Sequence, residues 1–358
     1  MAREKMKIAV GLSGGVDSSV CAALLKREGH EVVGVMMKLW REGTSANDVE
    51  GACFGPGAAK ELSRAEEVAR QLSIEFHAID CLDEFKREVL ENFRGEYLAG
   101  RTPNPCVRCN QFLKFGALPL LARKAGVDFD CLATGHYARV VEEAGRHRLF
   151  KGVDPAKDQS YFLHRLTQEQ LASVRFPLGK YTKAEVRKLA GEMGLATRDC
   201  SDSQDFYGGS YADLLAEPDR PGQIVDRAGK VLGTHTGFWH YTIGQRKGLG
   251  IAAPAPLYVL DLNASRNEVV VGPASDVVRH GVRIAECNWI APDVPDCCEA
   301  KIRSVSRPVR VLVRERTEKG ALLEFPDGVS SPAAGQSAVL YRGDEVLGGG
   351  VIVEVSKS

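Results

Sequence analysis

Two groups of residues in this chain are of the types that do chemistry. The first is the run Gly11, Leu12, Ser13, Gly14, Gly15, Val16, Asp17 and Ser18, set between an apolar stretch, Met6–Val10, and a helix-like stretch, Ser19–Arg27. A buried strand that breaks on paired glycines and re-enters as a helix builds a nest of backbone N–H groups at the helix N-terminus. Such a nest binds a phosphate without needing a lysine. It is not a Walker loop, because G-x-x-x-x-G-K-[ST] requires a lysine and this run has none. Asp17 is placed to help hold Mg²⁺ against phosphates, since a hard cation prefers oxygen. Read locally, it is also an acid at a helix start, meeting the helix dipole. The second group is made of thiols: Cys106 and Cys109 form a CxxC in Thr102–Phe115 (TPNPCVRCNQFLKF), whose Pro-rich start reads as a loop, and Cys200 follows later.

The elements that must position these groups alternate in the first half of the chain. Met6–Val10, Glu31–Met37, Glu75–Ile79 and Cys131–Thr134 read as strands, the second continuous in Val and Met as a buried parallel strand is. Ser18–Glu28, Leu62–Leu72, Leu82–Leu98 and Phe112–Ala125 read as helices, and Thr182–Leu195 as a further one with Thr182 as cap. Alternation of this kind predicts an α/β fold with a parallel sheet covered on both faces. Ligands bind there beyond the carboxyl ends of the strands, where Gly11–Ser18, Met37 and Gly135 would converge. After about Ser210 short runs punctuated by Gly, Pro and Thr predict a small β-rich domain. From about Val278 alternating segments predict an antiparallel barrel. The Gly-rich connection Gly43–Gly57 reads as a mobile loop.

Composition narrows the class. The 358 residues suffice for two or three domains, and 47 basic against 47 acidic residues give zero net charge. A nucleic-acid partner therefore needs a local basic patch rather than a whole-protein field. No apolar run approaches a membrane span and no signal-peptide pattern opens the chain, so a cytoplasmic location is expected. The 10 cysteines are scattered, which favours reduced thiols over a disulfide framework. Cys21, Cys81 and Cys131 lie in apolar runs and read as core residues.

The pattern SGGxDS resembles the PP-loop of ATP pyrophosphatases. Gly34–Trp40 (GVMMKLW), the TPNPCVRCNQFLKF run, Ala133–Arg139 (ATGHYAR), Lys157–Leu163 (KDQSYFL) and Tyr241–Gly250 (YTIGQRKGLG) follow in order. Together with the loop, the chain resembles the tRNA-specific 2-thiouridylase (MnmA) family over essentially its whole length. The resemblance implies a PP-loop domain (1–208), a central β-rich adaptor (209–276) and a C-terminal β-barrel that contacts tRNA (277–358). It implies adenylation of the C2 oxygen of the wobble uridine by ATP with Mg²⁺, then its replacement by sulfur from a donor protein or sulfide. Gly11–Ser18, Met37 and Gly135 would bind ATP. Asn104, Pro105, His136, Lys157, Asp158, Gln159, Arg303 and Gln336 would meet tRNA near the anticodon. Lys301, Arg307 and Arg310 would add a basic cluster beside Arg303.

The sulfur site departs from the family pattern. The family uses N-P-D-x-x-C and D-S-x-x-x-C; here Cys106 stands at the aspartate position, Cys109 at the first cysteine, and Tyr207 where the persulfide cysteine belongs. Tyrosine carries no persulfide. If the two segments meet as in the family, Cys106, Cys109 and Cys200 converge, and three thiolates can hold a 4Fe–4S cluster with one iron open. Zinc, a redox or persulfide pair at the CxxC, and inert thiols are the other readings. Loss of the aspartate and the persulfide cysteine also leaves a non-catalytic, redox-sensing tRNA-binding paralogue as an alternative, besides a PP-loop ligase for another carbonyl substrate.

Overall fold

The computed structural model describes residues 5–41, 52–54, 58–200, 205–207 and 211–356. Most of Gly43–Gly57 and residues Asp202, Ser203 and Gln204 thus lie outside the described residues. The chain divides into two units: Met1–Val89 with Cys106–Gly209 and Asp344–Val346, and Leu90–Pro105 with Ser210–Gly343 and Leu347–Ser358.

The first unit is built on a five-stranded parallel sheet. Its strands are β1 (Lys7–Gly11), β2 (Glu31–Lys38), β3 (Glu75–Asp80), β4 (Cys131–Ala133) and β5 (Val174–Arg175), in the order β3-β2-β1-β4-β5. The chain leaves β1 toward β2 on one side, while β4 flanks β1 on the other, so the crevice at the carboxyl end of β1 is the switch point of the sheet. Helices α1 (Val16–Arg27), α2 (Ala58–Leu72) and α3 (Lys183–Glu192) cover it. Their apolar faces close one core through Ile8, Val10, Val20, Leu24, Val68 and Val186. Thr182 caps α3 in a reciprocal capping box with Glu185, as its sequence predicts.

Two local expectations change. The segment around Cys106, read as a Pro-rich loop, is helical from Pro105: Pro105–Arg108 runs into a wide-turned stretch, Cys109–Ala117, and on into Leu118–Lys124. Proline at a first helical position has its φ preset and lacks only an N–H that would be orphaned anyway, so Pro105 starts this helix. Also unforeseen was the hairpin Ala138–Glu143/Arg146–Lys151, whose second strand pairs with Glu345 and Val346. Its turn residues Ala144 and Gly145 both have positive φ. Alanine is a poor signal for that conformation, and the turn was invisible for that reason.

The second unit contains two β assemblies. A four-stranded sheet orders Val231–His235, Gly222–Val225, Glu268–Gly272 and Tyr258–Asn263. Six antiparallel strands (Val278–Trp289, Gly320–Ser330, Val309–Arg314, Cys297–Lys301, Ser337–Arg342 and most of Glu345–Val355) close into a barrel, the last pairing back onto the first. Ile284, Val311, Leu323, Phe325 and Leu340 fill it. No described helix is long and apolar enough to cross a membrane.

Candidate active site

The glycine-rich run leaves β1 at Gly11 and enters α1 at Val16. Gly14 holds φ 75°, and a Cβ there would stand 2.5 Å from the Glu61 carbonyl oxygen, so only glycine lets α2 come this close. Gly15 is the N-cap of α1 and supplies no side-chain cap. The N–H groups of the first helical turn, Val16 to Ser18, therefore have no intrahelical acceptor and are available to an anion. The hydroxyls brace the loop: the Ser13 amide donates to Ser18 Oγ at 3.2 Å, and Ser18 Oγ donates to Gly15 O at 3.1 Å. Gly135, just beyond β4, abuts the same turn, since a Cβ on it would lie 2.9 Å from the Ser18 nitrogen. Met37 is half-buried near the carboxyl end of β2.

The loop lacks a lysine in sequence but acquires one in space. Lys183, the first residue of α3 and 9% exposed, donates from Nζ to both carboxylate oxygens of Asp17, at 2.7 and 2.8 Å. The Tyr137 hydroxyl donates to Asp17 Oδ1 at 2.8 Å. Tyr137 is fixed in turn by Gln159, whose Oε1 accepts from the Tyr137 amide at 2.9 Å and whose amide donates to Tyr137 O at 3.0 Å. Asp154 Oδ2 accepts from the Lys183 amide at 2.9 Å. No local signal in the sequence marks Lys183, which is 166 residues from its partner.

Glu61, half-buried in the first turn of α2, has its carboxyl pushed up by desolvation to about 7 from an ordinary 4.5, against the pull of Arg64. Below pH 4.5 the group is protonated in both folded and unfolded chains. Between about 4.5 and 7 the folded chain keeps a proton that the unfolded chain has lost. Its contribution to stability therefore falls through that window as pH rises. Glu61→Gln should flatten the melting temperature against pH over this range and raise it above wild type at pH 8. Coincident profiles for the two proteins would show that this carboxyl is not desolvated.

The cysteine helix is pinned to its neighbours. Arg108 Nε donates to Glu88 O at 2.8 Å and its guanidinium lies over the Phe112 ring at 4.8 Å. Buried Asn110 donates to Phe162 O at 3.2 Å. Gln170 Nε2 donates to Gln111 O and Phe115 O, satisfying carbonyls of the wide-turned stretch. Cys106 and Cys109, half-buried and three residues apart, share one helix face. None of the nine described cysteines is in a disulfide. Cys200 is half-buried elsewhere in the same unit. Among the described residues no group of three or more His, Cys, Asp or Glu is gathered closely enough to hold a metal ion. No such group unites Cys106, Cys109 and Cys200. Tyr207 is buried, on a short strand where Ala52 and Phe54 pair with Asp205 and Tyr207.

Several residues expected to face tRNA are occupied internally. His136 is 8% exposed, shares a 2.7 Å hydrogen bond with Thr134 Oγ1 and packs on Phe115 and Phe176. Burial drives its imidazole well below the usual range, so it is neutral at pH 7 and offers no charge to phosphate. Asp158 accepts from the amides of Gly152 and Ser160 and from the Ser160 hydroxyl. Gln336 donates to Thr102 O and Pro103 O. Arg303 donates to Ile243 O and Ser331 O. Lys157 and Lys301 are half-buried, Asn104 is half-buried ahead of the cysteine helix, and Arg307 and Arg310 are exposed.

A glycine nest opening at the switch point of a parallel sheet, with an aspartate held at its helix start, defines an ATP-using enzyme of the PP-loop class. Family models match the chain in three successive segments: a tRNA methyl transferase HUP domain over residues 6–207, a tRNA methyl transferase PRC-barrel domain over 214–273, and an aminomethyltransferase β-barrel domain over 279–352. The tRNA-specific 2-thiouridylase MnmA of Endomicrobium trichonymphae is 44% identical over 98% of this chain and 99% of its own length. That of Geotalea uraniireducens is 47% identical over 98% and 95%. The chain belongs to the tRNA-specific 2-thiouridylase family and is an enzyme of the tRNA sulfurtransferase class. Among solved structures, the U34-tRNA thiolase NcsA from Methanococcus maripaludis with its [4Fe-4S] cluster matches 60% of this chain and 65% of its own, with 20% identity and a TM-score of 0.36. A likeness that distant carries no argument.

Proposed function

We propose that this protein uses ATP to adenylate the C2 oxygen of the tRNA wobble uridine and replaces it with sulfur carried on the Cys106–Cys109 pair. The observation that carries this reading is the Gly11–Ser18 nest with Asp17 fixed by Lys183 and Tyr137. A uridine carbonyl oxygen is a poor leaving group, and transfer of AMP makes it a good one. The nest need only position the phosphates and take up charge as pyrophosphate departs, while Met37 and Gly135 line the adenosine side. Magnesium is commonly held by one or two carboxylates with phosphates and waters completing its shell; Asp17 Oδ1 accepts from both Lys183 and Tyr137, whereas Oδ2 accepts from Lys183 and retains a lone pair that would hold the ion, which would neutralise the phosphates. Lys183 meets the loop through both carboxylate oxygens of Asp17.

For sulfur transfer, a persulfide on Cys109 attacks C2 and AMP leaves with the bonding electrons. The Cys106 thiolate then attacks the Cys109 sulfur. That step forms a Cys106–Cys109 disulfide and releases the thiocarbonyl, and an external reductant restores the pair. No step is routed through an iron–sulfur group. In the same reading residues 1–208 carry the chemistry, 209–276 form an adaptor and 277–358 contact tRNA, in the cytoplasm. Incubation with ATP, Mg²⁺, a sulfur donor and unmodified tRNA should yield 2-thiouridine. ATP turnover on a free small molecule, with no thiolated tRNA, would sink the proposal.

A further inference from the structure

Tyr241–Gly250 folds into a loop whose polar groups are spent largely on its own rigidity. The Gln245 amide donates to Thr242 O at 2.9 Å. Its side chain returns the bond, Oε1 accepting from the Thr242 amide and Nε2 donating to Lys247 O, each at 3.0 Å. The Gly244 amide donates to Val259 O at 2.8 Å, and the Val259 amide donates to Gln245 O at 2.9 Å. Gly244 has φ 82°, and a Cβ there would stand 2.8 Å from Cβ of Ser331. Into this contact reaches Arg303, one terminal nitrogen donating to Ile243 O at 2.8 Å and to Ser331 O at 2.9 Å.

On this support Arg246 and Lys247 stand exposed. Neither side chain has an acidic partner among the described residues, in contrast to Arg41, Arg101 and Arg148. Adjacent unneutralised cations on a loop ordered during folding leave less ordering cost for binding, which favours an extended anion. With zero net charge on the chain, attraction of a polyanion must come from such a local feature.

We propose that Arg246 and Lys247 are a preformed grip on the phosphate backbone of the RNA substrate, and that Arg303 is the positioning residue that holds it. This rests on tRNA being the substrate. The contact is to phosphates and so is independent of base sequence.

The test measures tRNA affinity against salt for wild type, an Arg246→Ala, Lys247→Ala double variant, Arg303→Lys, and the triple combination. The double variant should bind roughly tenfold more weakly near 0.1 M salt, with a log–log salt slope shallower by about 2. Being exposed, both positions can be changed without touching the core, and thermal unfolding checks this. Arg303→Lys keeps the charge but loses the planar guanidinium that meets two carbonyls. It should weaken binding in the wild-type background and add nothing in the double variant, the non-additivity of residues acting through one another. KM for tRNA should rise with kcat unchanged.

A wild type that does not bind tRNA overturns both the substrate reading and the grip. A wild type that binds, with a double variant of equal affinity and slope, overturns the grip alone. Additive losses from Arg303→Lys would overturn its positioning role. Unchanged tRNA binding with thiolation lost only when sulfur comes from a donor protein, and kept with sulfide, would overturn the RNA assignment and give the loop to a protein partner.

Discussion

Lys183→Met should lower ATP-dependent turnover by about 100-fold or more, the scale of losing one preorganised charged donor at a site of developing negative charge. Two effects compete in that number. Lys183 is buried and Asp17 is partly so, with both carboxylate oxygens accepting from one ammonium. Removing one partner of a fully buried pair costs about 3–5 kcal/mol, and the solvent reaching Asp17 brings this pair below that range. The catalytic part is separable. Paired with Asp17→Asn, Lys183→Met should recover much of the lost thermal stability, because no unpartnered carboxylate remains. Pyrophosphate release should nevertheless stay low in the double variant, which lacks both the lysine and the carboxylate that would hold magnesium, so recovered stability without recovered turnover separates the two effects. A Lys183→Met enzyme with wild-type kcat would reduce the residue to a structural ion pair.

How far this site was legible depended on how local each contact is. The Gly14–Gly15 break between an apolar run and a helix is written in eight consecutive residues, and the nest follows from it. Lys183 was not legible, because its meeting with Asp17 is a product of α3 packing on α1, and nothing near Thr182 marks the lysine that follows the cap. The KDQ run was noticed for a resemblance that pointed it toward tRNA. In the fold, Asp158 closes a turn and Gln159 brackets Tyr137, the residue that holds Asp17. Polar side chains in a loop read alike whether they will face solvent or buttress a buried carboxylate. Only burial separates the two. Around the CxxC it was the local structure that was misjudged: prolines at 103 and 105 read as loop, yet Pro105 opens a helix, and this puts Cys106 and Cys109 on one face. The parallel sheet was foreseeable from alternation, whereas the Val231–His235 strand and the Ala144–Gly145 turn carry no strong local signal.

Cys109→Ser should abolish 2-thiouridine formation while tRNA-stimulated pyrophosphate release persists, since adenylation needs no thiol. Cys106→Ser should stop the reaction one step later. The Cys109–S–S–C2 adduct would lack the thiolate that resolves it, so tRNA should remain covalently attached and be released as 2-thiouridine by dithiothreitol. Cys81 does not stand in for Cys106. Although close enough to Cys109 to feel its charge, it is fully buried, and desolvation first, then Glu84, Asp80 and Cys109, push its thiol up to about 12. A thiol that stays protonated is a poor nucleophile, and Cys81→Ala should leave turnover intact. Cys200→Ala should be nearly silent, because the structure does not gather it with the other two. Wild-type protein without reductant should make at most one 2-thiouridine per chain, each turnover leaving the pair as a disulfide. Anaerobic purification provides the opposite outcome in one spectrum. A brown protein with about four irons and four sulfides per chain, bleached by Cys200→Ala as well as by Cys106→Ala and Cys109→Ala, would require the three thiols to converge and would overturn the disulfide couple.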